Sequence, residues 1–189
     1  TIPFWRAWTF FTSIDSLKGF EEKIGRNRPT GNSYSRDFRG SNWLDRRIEA
    51  QEYHDREPTV LVVGGGQAGL SIAARMTQLG IDTLIVDKNS QIGDNWRNRY
   101  HALTLHNQLH VNHWPYMPFP STWPVYIPKD MLALWFESYV AAMELNFWTN
   151  NEVTEGNYND VTKLWNITLT GKDGTTRKMT PRHVVLATG

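Results

Sequence analysis

The chain has 189 residues, with 20 Lys or Arg against 19 Asp or Glu for a net charge of +1, and it contains no cysteine. That balance gives no electrostatic reason to bind nucleic acid or an anionic membrane. The lack of cysteine excludes, within these residues, a disulfide-stapled fold, a thiolate nucleophile and a cysteine-held metal or iron–sulfur centre. No run approaches the roughly 18 consecutive apolar residues of a membrane span. The start, Thr1-Ile2-Pro3-Phe4-Trp5-Arg6, has neither an initiator methionine nor the pattern of a signal peptide, so it reads as cut and a cytoplasmic protein is expected.

Residues 1–57 read as a partial N-terminal module. Phe4–Thr12 is expected as a strand, and Gly25–Gly40, rich in Gly, Asn, Arg, Ser and Pro, as an exposed loop. Asn42 then caps a connecting helix running to Tyr53, which Asp55-Arg56-Glu57-Pro58 ends.

Residues 58–189 open on Thr59-Val60-Leu61-Val62-Val63-Gly64-Gly65-Gly66-Gln67-Ala68-Gly69-Leu70, a buried strand, a glycine turn and a helix start. That order suits a dinucleotide pyrophosphate: Gly64 allows the tight turn, Gly66 the close approach of backbone to phosphate, and Gly69 the packing of helix on strand. The first helical amides, from Gln67 and Ala68 onward, face the anion. Leu70, Ala73, Ala74, Met76 and Leu79 have helical spacing, and Gly80 closes the helix. Ile81–Val86 is the second parallel strand, ending at Asp87 with Lys88 beside it. An acid about 20 residues beyond the first glycine accepts hydrogen bonds from an adenosine ribose that carries no 2′-phosphate.

Gly93-Asp94-Asn95-Trp96-Arg97 follows, with a flexible backbone at Gly93, a ring that can stack and a guanidinium fork for phosphate or carboxylate. His101, His106, His110 and His113 lie in a proline-rich stretch that does not read as one helix, so they do not align as metal ligands and no metal is expected. Pro128–Met143 reads as an amphipathic helix with Leu132, Trp135, Phe136, Tyr139, Val140 and Met143 inward, and Leu145–Trp148 as another strand of the same sheet. Val161–Leu169, the turn Gly171–Gly174 and Thr175–Met179 read as a hairpin over that sheet, and Arg182–Leu186 as a final strand before Ala187-Thr188-Gly189. The nine tryptophans, eight phenylalanines and seven tyrosines are a heavy aromatic load. Several tryptophans are expected to line a cofactor or a domain interface, or to have lost the partner surface they cover.

Taken together, the Gly64–Gly69 loop, Asp87, Gly93–Arg97, Met117-Pro118-Phe119-Pro120 and Ala187-Thr188-Gly189 resemble the class B flavin-dependent monooxygenases, closest to their YUCCA-like and fungal branch. The resemblance covers roughly residues 58–189. It implies an α/β, Rossmann-like FAD-binding domain: three layers, a parallel sheet and a β-hairpin or meander insertion. By that resemblance Gly64, Gly66, Gln67, Ala68 and Gly69 form the FAD pyrophosphate loop. Asp87 and Lys88 lie at the adenosine ribose, and Trp96 and Arg97 on the flavin side of the pyrophosphate. His106, with Asn107, falls where the family places a polar residue near the flavin, and these two are the catalytic candidates. This differs from the animal amine-oxidising pattern.

The implied reaction uses FAD and NADPH to insert one oxygen atom of dioxygen into a small organic substrate. The family's second glycine loop, for NADPH, lies beyond the position of Gly189, so this chain alone is expected to be inactive in turnover. Two alternatives stay open: another flavoprotein oxidoreductase of the two-dinucleotide type, and a non-catalytic binding module. A homo-oligomer also stays open.

Overall fold

The computed structural model describes residues 8–29 and 39–188. In chain order the elements are α1 (Trp43–Glu52), β1 (Val60–Val63), α2 (Gln67–Gln78), β2 (Thr83–Val86), α3 (Asp94–Arg97), α4 (Lys129–Ala142), β3 (Asn146–Trp148), β4 (Asn151–Asn159), β5 (Leu164–Gly171), β6 (Thr176–Met179) and β7 (His183–Leu186). Short 3-10 turns occur at Gly25–Asn27 and Leu109–Val111.

Strands β3, β2, β1 and β7 lie side by side in that order, all parallel. Parallel neighbours require crossovers: α2 supplies the one from β1 to β2 and α4 the one from β2 to β3, while the chain reaches β7 through β4–β6. The central strands β1 and β2 are apolar on both faces because both faces are covered. Val60, Val62 and Ile85 point into a core with α2 and α4, where they meet Leu70, Ala73, Ala74, Leu132, Phe136 and Tyr139. Leu61, Leu84 and Val86 point the other way, against Tyr53, Ile167, Leu169 and Met179. Each of the larger side chains removed from water in this way contributes on the order of 1.5–3 kcal/mol. The result is three layers: helices, parallel sheet and an antiparallel sheet of order β4-β5-β6.

That third layer is larger than the expected hairpin. The strand β4 pairs along the whole of β5 and carries a bulge between Val153 and Glu155. Its exposed, polar run Thr154–Asn157 has no apolar alternation to betray a strand.

The connecting helix is capped as its sequence implies: Asn42 Oδ1 accepts from the Asp45 amide at 3.0 Å, and Asp45 Oδ2 accepts from the Asn42 amide at 2.8 Å. Tyr53 ends α1 in the left-handed region, at φ 51°. Its hydroxyl donates to Asp82 Oδ1 at 2.7 Å and accepts from Asn146 Nδ2 at 2.8 Å, which ties α1 to the starts of β2 and β3. Burial, reinforced by the Asp82 carboxylate, drives the Tyr53 phenol upward from its ordinary value. Trp148 packs edge-on against Tyr53 and donates to the Gln51 carbonyl at 2.7 Å.

Ahead of α1, Trp8–Thr12 forms no strand, contrary to expectation, because no described strand lies beside it to pair with; Phe4–Ala7 fall outside the described residues. The expected loop Gly25–Gly40 is described only at its ends, where it is exposed. This segment is strapped down at Glu22, whose Oε1 accepts from the Tyr116 hydroxyl at 2.5 Å and from Arg75 Nη1 of α2 at 2.9 Å. Those two donors hold the Glu22 carboxyl below the usual glutamate range. Burial and the same contact push the Tyr116 phenol up to about 12.

Candidate functional site

The turn after β1 separates the glycines by what surrounds them. Gly64 has φ +106°, and a Cβ there would lie 2.7 Å from the Ala187 carbonyl oxygen beyond β7. A Cβ on Gly69 would lie 2.0 Å from the Gly64 carbonyl oxygen, so glycine is what lets α2 sit directly on the turn. A Cβ on Gly65 would collide with the Phe147 ring at 2.2 Å. Gly66 is different: it caps α2 at φ −77°, ψ −178°, a conformation open to any residue. Its Cβ would meet only Asn95 Nδ2, at 3.4 Å. Three glycines are required by the protein's own packing, and the fourth faces open space.

That space is a cavity of about 390 Å³ at the carboxyl ends of β1, β2 and β7. In open parallel sheets this is where ligands bind, at the point where neighbouring strands leave in opposite directions. The first amides of α2 have no intrahelical acceptor, and among the described residues no side chain caps them, so they point a partial positive charge at the cavity. Asp87 closes the far side. Its Oδ2 accepts from the Gly65 amide at 2.6 Å and its Oδ1 from the Asn89 amide at 2.8 Å, which fixes the carboxylate while leaving each oxygen a further lone pair. A second hollow of about 460 Å³ adjoins and shares Lys88, Asn89 and Glu152 with the first.

Of the residues singled out from sequence, Gly64, Gly66, Gln67, Ala68, Asp87 and Lys88 all line the cavity. Gly69 lies behind it, as the packing glycine. Trp96 instead packs against the helical core, with its indole Nε1 buried and without a partner. The Arg97 guanidinium does not face the cavity, in contrast with the position implied on the flavin side of the pyrophosphate. Nη1 donates to the Ile92 carbonyl at 2.6 Å and to Asp94 Oδ1 at 3.1 Å, and Nη2 is bonded to the Glu137 carboxylate. His106 and Asn107 stand on an exposed loop, and neither is among the cavity-lining residues.

Among the described residues no tryptophan lines the cavity. Trp114, Trp123 and Trp135 cluster instead with Phe119, Phe136 and Tyr139. Sequence reasoning missed Gly65, Asn95 and Arg99 and the strand start Asn151–Val153, all but the first of which line the cavity. Only Asn95 and Arg99 carried a signal, as polar residues flanking Trp96.

Residues 62–119 match the family model of the NAD(P)-binding Rossmann-like domain. The probable indole-3-pyruvate monooxygenase YUCCA4 of Arabidopsis thaliana is 32% identical over 133 residues, which cover 70% of this chain and 31% of that protein. Over those residues the chain is similar to the flavin monooxygenases. It spans about a third of the length of the curated relatives it matches. Among solved structures, the flavin-containing monooxygenase from Stenotrophomonas maltophilia superposes with TM-score 0.60 at 25% identity, covering 70% of this chain and 38% of that one. The bacillithiol disulfide reductase from Bacillus cereus superposes with TM-score 0.65 at 18% identity, covering 71% and 40%, and shares the fold alone. Among the described residues no helix is long and apolar enough to cross a membrane.

Proposed function

We propose that residues 58–189 are the FAD-binding domain of an NADPH-dependent monooxygenase, with residues 1–57 a partial module joined to it through α1. The observation that carries this reading is the open space at Gly66 within a loop whose other glycines are packed tight. The free amides of α2 face that space from one side and Asp87 from the other. A pyrophosphate needs both a backbone without a side chain and unpaired amides, and an adenosine ribose needs a fixed carboxylate. The donor set therefore fits FAD.

In this reading Gly64, Gly66, Gln67 and Ala68 cradle the pyrophosphate, and Asp87 accepts from the ribose hydroxyls with Lys88 beside it. Asn151–Val153 wall the adenosine end. Bound FAD, once reduced, supplies with dioxygen the transfer of one oxygen atom to a small organic substrate. The chain's own part is to bind and orient that group and to keep water from it. His106 and Asn107 are assigned to the flavin end, where they would meet the substrate. The sequence holds one glycine loop of this kind, so the NADPH site is assigned outside these residues and the chain alone is expected to bind flavin without turning over.

The test is an absorbance spectrum of the purified chain after incubation with FAD and removal of the excess. A retained flavin band supports the reading. A folded protein that retains none refutes it and moves the binding-module alternative to first place.

A further inference from the structure

The cations at the cavity raise a question that the sequence pattern answers in one way and the geometry in another. Lys88 and Arg99 line the cavity; Arg97 does not. Arg97 sits at the centre of a partly buried charge network that clamps α3 onto α4. Its fork reaches the Ile92 carbonyl, Asp94 and Glu137. Asp94 Oδ2 in turn accepts from Ser90 Oγ at 3.1 Å and the Gln91 amide at 3.0 Å. The Arg97 carbonyl accepts from Lys129 Nζ at 2.9 Å, and that ammonium also reaches Asp130 Oδ1 at 2.8 Å.

The clamp closes at short range. A Cβ on Gly93 would lie 2.6 Å from the Ala133 carbonyl oxygen of α4, so the turn into α3 is pressed against that helix. What the clamp presents is the other side of α3. Asn95 points its amide towards Gly66. Arg99 is tied to the same turn, its Nε donating to the Asn95 carbonyl at 3.3 Å, with its guanidinium 5.8 Å from the centre of the Trp96 ring. Arg99 is exposed, and its charge is not engaged by an ion pair with a described carboxylate.

We propose that Arg97 is a positioning residue that, through Glu137, holds α3 so that Asn95 and Arg99 face the glycine loop, and that Arg99, not Arg97, is the cation that meets the bound pyrophosphate. This rests on the FAD-binding reading for its ligand.

The two roles for Arg97 predict opposite signs for one mild substitution. Glu137→Gln keeps shape and volume at a half-exposed position and removes the carboxylate that holds the fork. If Arg97 were a pyrophosphate ligand restrained by Glu137, freeing it would tighten FAD binding. If it positions, FAD binding weakens by about tenfold, the effect of losing an outer partner of a binding group, with the unfolding transition in place. Arg99→Gln, at an exposed position, then abolishes most of the affinity without moving the unfolding transition.

Affinity is read by flavin fluorescence titration, and amide hydrogen exchange of residues 94–99 is read on the same proteins without ligand. The Trp96, Arg97, Asn98 and Arg99 amides are bonded within this turn. In Glu137→Gln they should exchange faster by about tenfold or more, as expected for loss of a hydrogen bond between charged groups. Unchanged exchange, or FAD binding as tight as the parent's or tighter, overturns the positioning role. Unchanged affinity in Arg99→Gln overturns the role of Arg99. A parent that retains no flavin refutes the FAD reading and the ligand role of Arg99, while the exchange experiment still decides the clamp.

Discussion

Gly66→Ala separates ligand-facing from structural glycine more cleanly than any other change in the loop. Its new Cβ meets a single neighbour, Asn95 Nδ2, at 3.4 Å, an ordinary contact with the movable end of a side chain. The backbone at φ −77°, ψ −178° accepts alanine without strain. Losing glycine from a helix N-cap costs a few tenths of a kcal/mol to about 1, and the stiffer unfolded chain returns about 0.4–1 kcal/mol, so stability should move by less than ~1 kcal/mol. The same methyl would stand in the path of the pyrophosphate. Forcing an extra methyl into a filled site costs about 1–3 kcal/mol, which is a factor of about 5 to 150 in the dissociation constant.

Gly69→Ala is the control. Its Cβ would lie 2.0 Å from a backbone oxygen, so it should fail to fold or melt far below the parent. Flavin fluorescence titration and urea unfolding on the three proteins give both axes. A Gly66→Ala protein that folds and binds FAD like the parent would refute the claim that the open space at Gly66 is the pyrophosphate cradle.

Asp87→Asn replaces one of two accepting oxygens with a donor facing a backbone amide, so it should cost about 1.5–3 kcal/mol of stability and weaken FAD binding at least tenfold, checked by urea unfolding and titration. Tyr53→Phe removes a buried hydroxyl bonded to Asp82 and Asn146 and should lower the unfolding free energy by about 1–3 kcal/mol while leaving flavin affinity unchanged. The strap at Glu22 should be sensitive to acid. Its carboxyl is held low in the folded chain, so the contact is fully present above the usual glutamate range and is lost as pH falls through that lowered value. Proteolysis near Lys18 and Lys23, normalised at each pH to an unstructured substrate of the same protease, should therefore accelerate as the pH falls through that lowered value, and Glu22→Gln should show fast normalised cleavage at neutral pH with no further rise in acid.

The parallel sheet, its two helical crossovers and the Asn42 cap were legible because each rests on a local pattern: β-branched runs, helical spacing, capping chemistry. Gly64, Gly66, Gln67, Ala68, Asp87 and Lys88 were legible as one group because a single strand–turn–helix–strand unit brings them to one cavity. The strand β4 was not, since its stabilisation comes from pairing with β5 and not from an apolar stripe of its own. Nor could the sequence place Asn151–Val153 beside the glycine loop. That contact arises because β3 pairs with β2, which delivers the chain after Trp148 to the same end of the sheet as Asp87, with the Asp87 amide bonded to the Trp148 carbonyl at 2.9 Å.

Arg97 shows a different limit. An arginine beside a dinucleotide loop is a fair candidate for phosphate by charge alone, and so is Arg99 two positions on. What separates them is which donors are already engaged, and that depends on Glu137, 40 positions away on α4. A guanidinium with a carboxylate on one side and the Ile92 carbonyl and Asp94 on the other gains little by turning to a second anion, because it would leave Asp94, whose side chain is 11% exposed, without its cation. Arg99 has no such partner among the described residues to abandon. The same reasoning applies to the glycines: residue type marks four positions as permissive, but only the surrounding atoms tell which permission the fold itself uses and which is left for a ligand.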